Sequence, residues 1–275
     1  MSSQSNNTPF HLVKPSHWPL VVSTFVLNSL LYVTIQMHYD YSDASSIFLT
    51  SMFFVVWSTF SWWFDVCVES THGGHFTSKV RQGITLGFIL FIASEVMFFF
   101  SFFWAFFHSS LSPVFNIGGI WPPLGIDVIN PWGVPLLNTL ILLTSGATVT
   151  RAHHAILKNQ TRTVALNLDL TLILAVLFTK LQLIEYLEST FTISDSVYGS
   201  IFFLMTGFHG FHVIVGTIFL FVCLIRHDAG HFTRMYHIGF EAAIWYWHFV
   251  DVVWILLFIC VYWWGGVVNY LVIPI

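Results

Sequence analysis

Charge is scarce in this sequence. Of its 275 residues only 8% are Asp, Glu, Lys or Arg, against roughly a quarter in a soluble domain. So little charge cannot coat a water-facing surface, so lipid is expected to be the solvent for much of the chain. The net charge of −4 comes with no basic stripe of the kind that neutralises successive phosphates, which excludes nucleic acid as a partner. Cysteine is scarce too. Cys67, Cys223 and Cys260 lie far apart, in or at the ends of apolar runs. No paired spacing offers a disulfide framework or a zinc site, and buried inert thiols are expected. The first seventeen residues hold no Arg and no apolar run. That predicts neither a secretory signal nor an Arg-rich transit peptide, and with it a chain encoded in the organelle whose membrane it enters.

What is abundant is apolar: 56% of residues are hydrophobic and 19% aromatic. A spanning helix needs about 20 such residues, at about 1.5 Å each, to cross about 30 Å of hydrocarbon. Seven segments qualify, near 18–37, 47–67, 84–107, 135–150, 165–186, 200–225 and 242–262. A run such as Phe98-Phe99-Phe100-Ser101-Phe102-Phe103-Trp104 has no period of two, so a barrel is excluded. Alternation places Lys14, Lys79, Arg81, Arg151, Lys158, Arg162, Arg226 and Arg234 on one side. That is eight of the nine basic residues; the ninth, Lys180, lies inside the fifth segment. Basic loops stay on the side from which insertion occurs, so the N-terminus is expected in the matrix or cytoplasm and the C-terminus in the opposite compartment. Trp18, Trp62, Trp63, Trp104, Trp132, Trp263 and Trp264 fall near segment ends and read as interfacial anchors. The longest outer loop, 108–131, is rich in Gly and Pro.

Ionisable residues at bilayer depth are functional candidates by default. Glu95 sits mid-segment among Phe91, Ile92, Phe98 and Phe99. Such surroundings favour the neutral carboxyl, expected to be enclosed and away from any Lys or Arg. Either proton transfer or a donated hydrogen bond fits. His209 and His212, three apart, share a helical face and could ligate haem or a metal. Their neighbours Gly207 and Gly210, like the pair Gly83 and Gly87, suit close helix packing instead. His248 and Asp251 read as an imidazole oriented by a carboxylate. Glu185 is expected near an interface. Lys180 either snorkels or pairs with an acid. His72, His75, His153 and His154 fall in inner loops beside Lys79, Arg81 and Arg151, where they could meet lipid phosphates or simply solvent.

Several stretches are familiar when read together. They include Trp62-Trp63-Phe64-Asp65, Ser94-Glu95-Val96-Met97-Phe98-Phe99, Trp121-Pro122-Pro123 and Thr206-Gly207-Phe208-His209-Gly210-Phe211-His212-Val213. Gly239-Phe240-Glu241-Ala242-Ala243 then runs into Trp245-Tyr246-Trp247-His248-Phe249-Val250-Asp251. In this order, over nearly the whole length, the chain resembles the cytochrome c oxidase subunit III family. The resemblance implies an all-α membrane protein of seven helices, with helices I–II (1–70), an inner loop (71–82) and helices III–VII (83–275) forming one domain, 1–275. Two-helix and five-helix bundles would be separated by a V-shaped cleft filled with phospholipid and proposed as an oxygen route. It implies a subunit without haem or copper, those metals being in partner chains. This subunit would pack on and stabilise the catalytic subunit of the proton-pumping complex that passes electrons from cytochrome c to oxygen in the mitochondrial inner membrane. Glu95 matches the family's intramembrane carboxyl, with a role in proton uptake. Trp62, Trp63, Glu69, His72, His75 and Arg81 are the lipid-binding candidates. His209, His212, His248 and Asp251 become structural polar residues. The sequence departs from the family at Phe76, where His is common, at Arg151, where Trp is common, at Lys180, and in its stretch past Gly266. Two rival readings are a stand-alone transporter using Glu95, Lys180 and Asp251, and a redox subunit holding haem between His209, His212 and His248. No repeated halves of the kind transporters show support the first.

Overall fold

The computed structural model describes residues 9–39 and 43–267. Most of the stretch past Gly266, and the first eight residues, lie outside them. Among the described residues every long element is a helix: α1 (Trp18–His38), α2 (Ala44–Thr71), α3 (Ser78–Leu111), α4 (Val134–Leu157), α5 (Thr161–Glu188), α6 (Ser196–Asp228) and α7 (Ile238–Leu257). The chain past α7 stays helical through a π-helical segment, Phe258–Trp264. Helices dominate because hydrocarbon offers the backbone no partners, and only a helix closes every N–H and C=O bond within its own segment. α1–α3 and α5–α7 are long and apolar enough to cross a membrane. α4 is the exception. It carries Asn138, Thr139, Ser145 and Gly146 on a buried face, and protein neighbours rather than lipid surround that face.

Each helix from α1 to α6 outruns its apolar segment by one to several residues, and α7 does so together with its π-helical continuation. α3 has 34 residues and is about 51 Å long at 1.5 Å per residue. The polar ends beyond the hydrocarbon simply continue the helix. This moves His153 and His154, expected in a loop, into the last turns of α4. The turn to α5 then comes at Asn159, whose φ of 60° lies in the left-handed region that Asn tolerates better than most residues.

The chain divides into two compact units, 1–84 and 85–275. In the first, α1 and α2 pair antiparallel. Trp18 Nε1 donates to Asp65 Oδ2 at 2.6 Å, joining the start of one helix to the end of the other, and Phe25 stacks on Phe54 at 4.8 Å. Below that hairpin His11 stacks on His75, 4.8 Å between ring centres.

The second unit is built round α7. Trp247 and Trp254 are almost completely buried, and each indole N–H finds a hydroxyl on α4. Trp247 Nε1 donates to Ser145 Oγ at 2.9 Å and Trp254 Nε1 to Thr139 Oγ1 at 3.0 Å. A buried indole needs such a partner, so these two bonds set the register of α4 against α7. Within the loop after α3, Trp121 is buried and packs edge-on against Phe106. The Gly- and Pro-rich stretch is thus folded onto the bundle and is not a solvated tether.

Candidate functional site

Glu95 lies seventeen residues after the first residue of α3 and sixteen before its last. His212 lies sixteen residues from either end of α6. The midpoints of two helices therefore meet, and there Glu95 Oε2 and His212 Nε2 are 2.9 Å apart. The ring of His212 is set by its other nitrogen, Nδ1, which is 2.6 Å from the carbonyl of Phe208. A carbonyl only accepts, so Nδ1 carries the hydrogen. The contact on the far side then holds one proton between Nε2 and the carboxyl, either as imidazolium and carboxylate or as imidazole and carboxylic acid. Phe98, Phe99, Tyr246 and Phe249 surround the imidazole at 5.0–6.4 Å between ring centres. The expectation of an enclosed carboxyl needs correction, while no Lys or Arg lies within ion-pair distance of Glu95 among the described residues. Glu95 has a polar partner, and 21% of its side chain is exposed in the isolated chain. The cause is the length of the Glu side chain, which reaches from the edge of α3 to a histidine on the next layer.

A second histidine–carboxylate pair repeats the logic. Asp251 sits midway along the continuous helix Ile238–Trp264, with Oδ2 3.4 Å from His248 Nδ1. The hydroxyl of Thr150 donates to the carbonyl of Gly146 at 2.8 Å. It therefore accepts from His248 Nε2, 3.1 Å away. With Nε2 committed as a donor, Nδ1 faces the carboxylate. Asp251 fits because residue 146 is glycine: a Cβ there would come within 2.5 Å of Oδ2. The imidazole is less enclosed than its partner, 43% against 8% exposed. It borders an apolar groove of about 440 Å³ lined by Ile89, Ile92, Trp245, His248, Phe249 and Val252.

The shared face expected for His209 and His212 does not make a shared site. Three residues leave two side chains about 60° apart around a helix, enough to address different neighbours. His209 Nε2 donates to the carbonyl of Val250 at 3.2 Å, and its ring lies against Trp254 and Phe178. His212 faces α3. Glu185, expected at an interface, is buried instead. Its Oε1 accepts from Tyr262 at 2.6 Å and from Gln182 at 3.1 Å, because the π-helical segment carries Tyr262 inward. Lys180 is exposed on α5, with no carboxylate within ion-pair distance among the described residues.

The lipid candidates fall within the first unit. Trp63, His72 and His75 are exposed, and Trp62, Glu69 and Arg81 are half-buried. Glu69 Oε2 is 4.0 Å from His11 Nε2, and His72 caps the end of α2. The His11–His75 stack brings N-terminal chain into this cluster, a neighbour without any local sequence signal. The same holds for Thr150 and Gly146. Their roles appear only when α4 lies on α7.

The model of one protein family, described as cytochrome c oxidase subunit III, matches residues 8–266. Among curated proteins, the cytochrome c oxidase subunit 3 of Marchantia polymorpha is 56% identical over 264 residues, 96% of this chain and 99% of that protein. The Arabidopsis thaliana protein of the same name is 54% identical, with the same coverage. That of Drosophila melanogaster is 51% identical over 266 residues, 97% of this chain and all of the relative.

Proposed function

Because the chain belongs to the cytochrome c oxidase subunit III family, we propose that it serves respiratory complex IV as a core membrane subunit without catalytic metal of its own. There it packs on the haem–copper subunit, stabilises it and supports its proton uptake. The whole chain acts as one domain, with 1–70, 71–82 and 83–275 as its parts. It resides in the mitochondrial inner membrane with the N-terminus in the matrix and the C-terminus in the intermembrane space. Neither a stand-alone transporter nor a haem-bearing subunit gains anything from these relatives. Two nitrogens that haem ligation would require, His209 Nε2 and His212 Nε2, are already engaged.

The observation that carries the proton role is the Glu95–His212 contact at mid-helix depth. A carboxyl and an imidazole sharing one proton take up or release it with little rearrangement of heavy atoms, which suits buffering of uptake during turnover. Glu95→Gln keeps the volume and lets an amide N–H donate to His212 Nε2, but removes the exchangeable acid. In complex IV carrying this variant, assembly and oxygen reduction are expected to persist, while proton uptake slows or activity decays faster during turnover. Uptake and inactivation rates equal to those of the wild-type complex would sink the role.

Lipid binding is proposed for Trp62, Trp63, Glu69, His72, His75 and Arg81. Indole rings suit the headgroup level, and the cation and imidazoles suit lipid phosphate.

A further inference from the structure

Away from both mid-depth pairs, three ligand-type side chains converge where the end of α4 meets the start of α7. His153 comes from the last turns of α4, His237 is the residue that precedes α7, and Glu241 stands in the first turn of α7. One ligand atom from each lies within 4.8 Å of the other two. His237 is only 5% exposed. Its Nδ1 lies 2.9 Å from the carbonyl of Thr233, and since that oxygen only accepts, Nδ1 carries the hydrogen. Nε2 is therefore left with an in-plane lone pair. It is buried without a hydrogen-bond partner, and the nearest acid, Glu241 Oε1, is 3.4 Å away. A buried acceptor with nothing to accept is costly. A backbone carbonyl fixing the far nitrogen is the arrangement that metal-binding histidines use to hold their tautomer and ring plane.

We propose that His153, His237 and Glu241 form a site for a divalent transition metal of the zinc type, tying the end of α4 to the start of α7. The donor set, two imidazole nitrogens and one carboxylate oxygen, is one zinc accepts. Calcium and magnesium prefer sites built of oxygen alone. Zinc–ligand distances of about 2.0–2.1 Å in a tetrahedron put neighbouring ligand atoms about 3.3 Å apart. The His237–Glu241 separation of 3.4 Å already matches one edge. The remaining edges close by rotation of His153 and Glu241. The first is half-buried and the second has a side chain 35% exposed, so both are free to turn. Three protein ligands leave the fourth position to water. Phe240, edge-on to His153 at 6.2 Å, screens one side. The metal would hold the 229–237 connection in place and fix how α7 begins, which sequence spacing does not reveal because His153 is more than eighty residues from its partners.

The test uses the intact oxidase complex, stripped with a chelator and equilibrated with zinc chloride. Zinc retained elsewhere in the complex cancels when variants are compared. The wild type is expected to retain one zinc more per complex than Glu241→Gln, and His153→Ala to bind that zinc at least tenfold more weakly. Hydrogen exchange needs no variant: in the wild-type complex, zinc should slow amide exchange across residues 230–237 about tenfold. Equal zinc content in wild-type and Glu241→Gln complexes overturns the proposal. So does exchange at 230–237 that ignores zinc in the wild-type complex.

Discussion

A methyl group at position 146 would stand 2.5 Å from Asp251 Oδ2, closer than any carbon and oxygen settle without something moving. Asp251 cannot retreat easily. Its Oδ1 is already buried without a hydrogen-bond partner, and His248 holds the other oxygen. Gly146→Ala is therefore expected to cost about 1–3 kcal/mol, the usual range for overpacking a filled interior. Thermal inactivation of the oxidase complex should report it as a lower midpoint. Gly210→Ala is the matched control, since nothing lies within 4 Å of a Cβ there. Equal midpoints for the two variants would show that the Asp251 pocket yields. That Gly146 matters could not be read from sequence. A glycine in an apolar helix looks the same whether a carboxylate or a lipid chain occupies the space beside it. Glu95 was legible for the opposite reason, because a carboxyl in a run of phenylalanines stands out without knowledge of its partner. Its partner His212 was legible as a structural polar residue but not as the group that Glu95 meets, since partner choice is set by how α3 lies on α6.

At the level of elements, α4 and α7 are held by two indole–hydroxyl bonds, Trp247 to Ser145 and Trp254 to Thr139. Removing the acceptor strands a buried N–H, whereas the bond itself is worth only about 0.6 kcal/mol net in a membrane bundle. The stranded donor dominates, at about 1–3 kcal/mol. Thr139→Val and Ser145→Ala should each destabilise the bundle by about that amount. The two sites share no partner, so their effects should add in the double variant. A double variant no worse than either single, measured by denaturation of the complex, would mean that α4 shifts to find new acceptors. The helices themselves were readable from sequence, because unpaired backbone is intolerable in hydrocarbon and long apolar runs have no other solution. Their ends were not. Helical hydrogen bonding continues past the last apolar residue wherever the next residues are good enough helix formers. The π-helical turn that swings Tyr262 onto Glu185 has no marker in the local sequence at all.

For the whole molecule, the seven crossings expected from the sequence and the bias of basic residues predict opposite compartments for the two termini. In mitoplasts, a tag placed after Ile275 is expected to be open to added protease, and one placed before Met1 to be protected; the reverse pattern would refute the orientation. The family was legible throughout because its motifs run in order along nearly the entire chain. The tertiary pairing of distant residues was not, since nothing in linear spacing records it. That pairing has a consequence in time. Glu95 and His212 are 117 residues apart, so α3 leaves the ribosome well before α6 exists. At about 5–20 residues per second, the carboxyl waits on the order of ten seconds before its histidine is made. During that interval the nascent chain carries an acid at bilayer depth with no imidazole to share its proton. Biogenesis therefore passes through a stage in which α3 has been made while Glu95 has no imidazole partner, and the pair closes only as the later helices arrive.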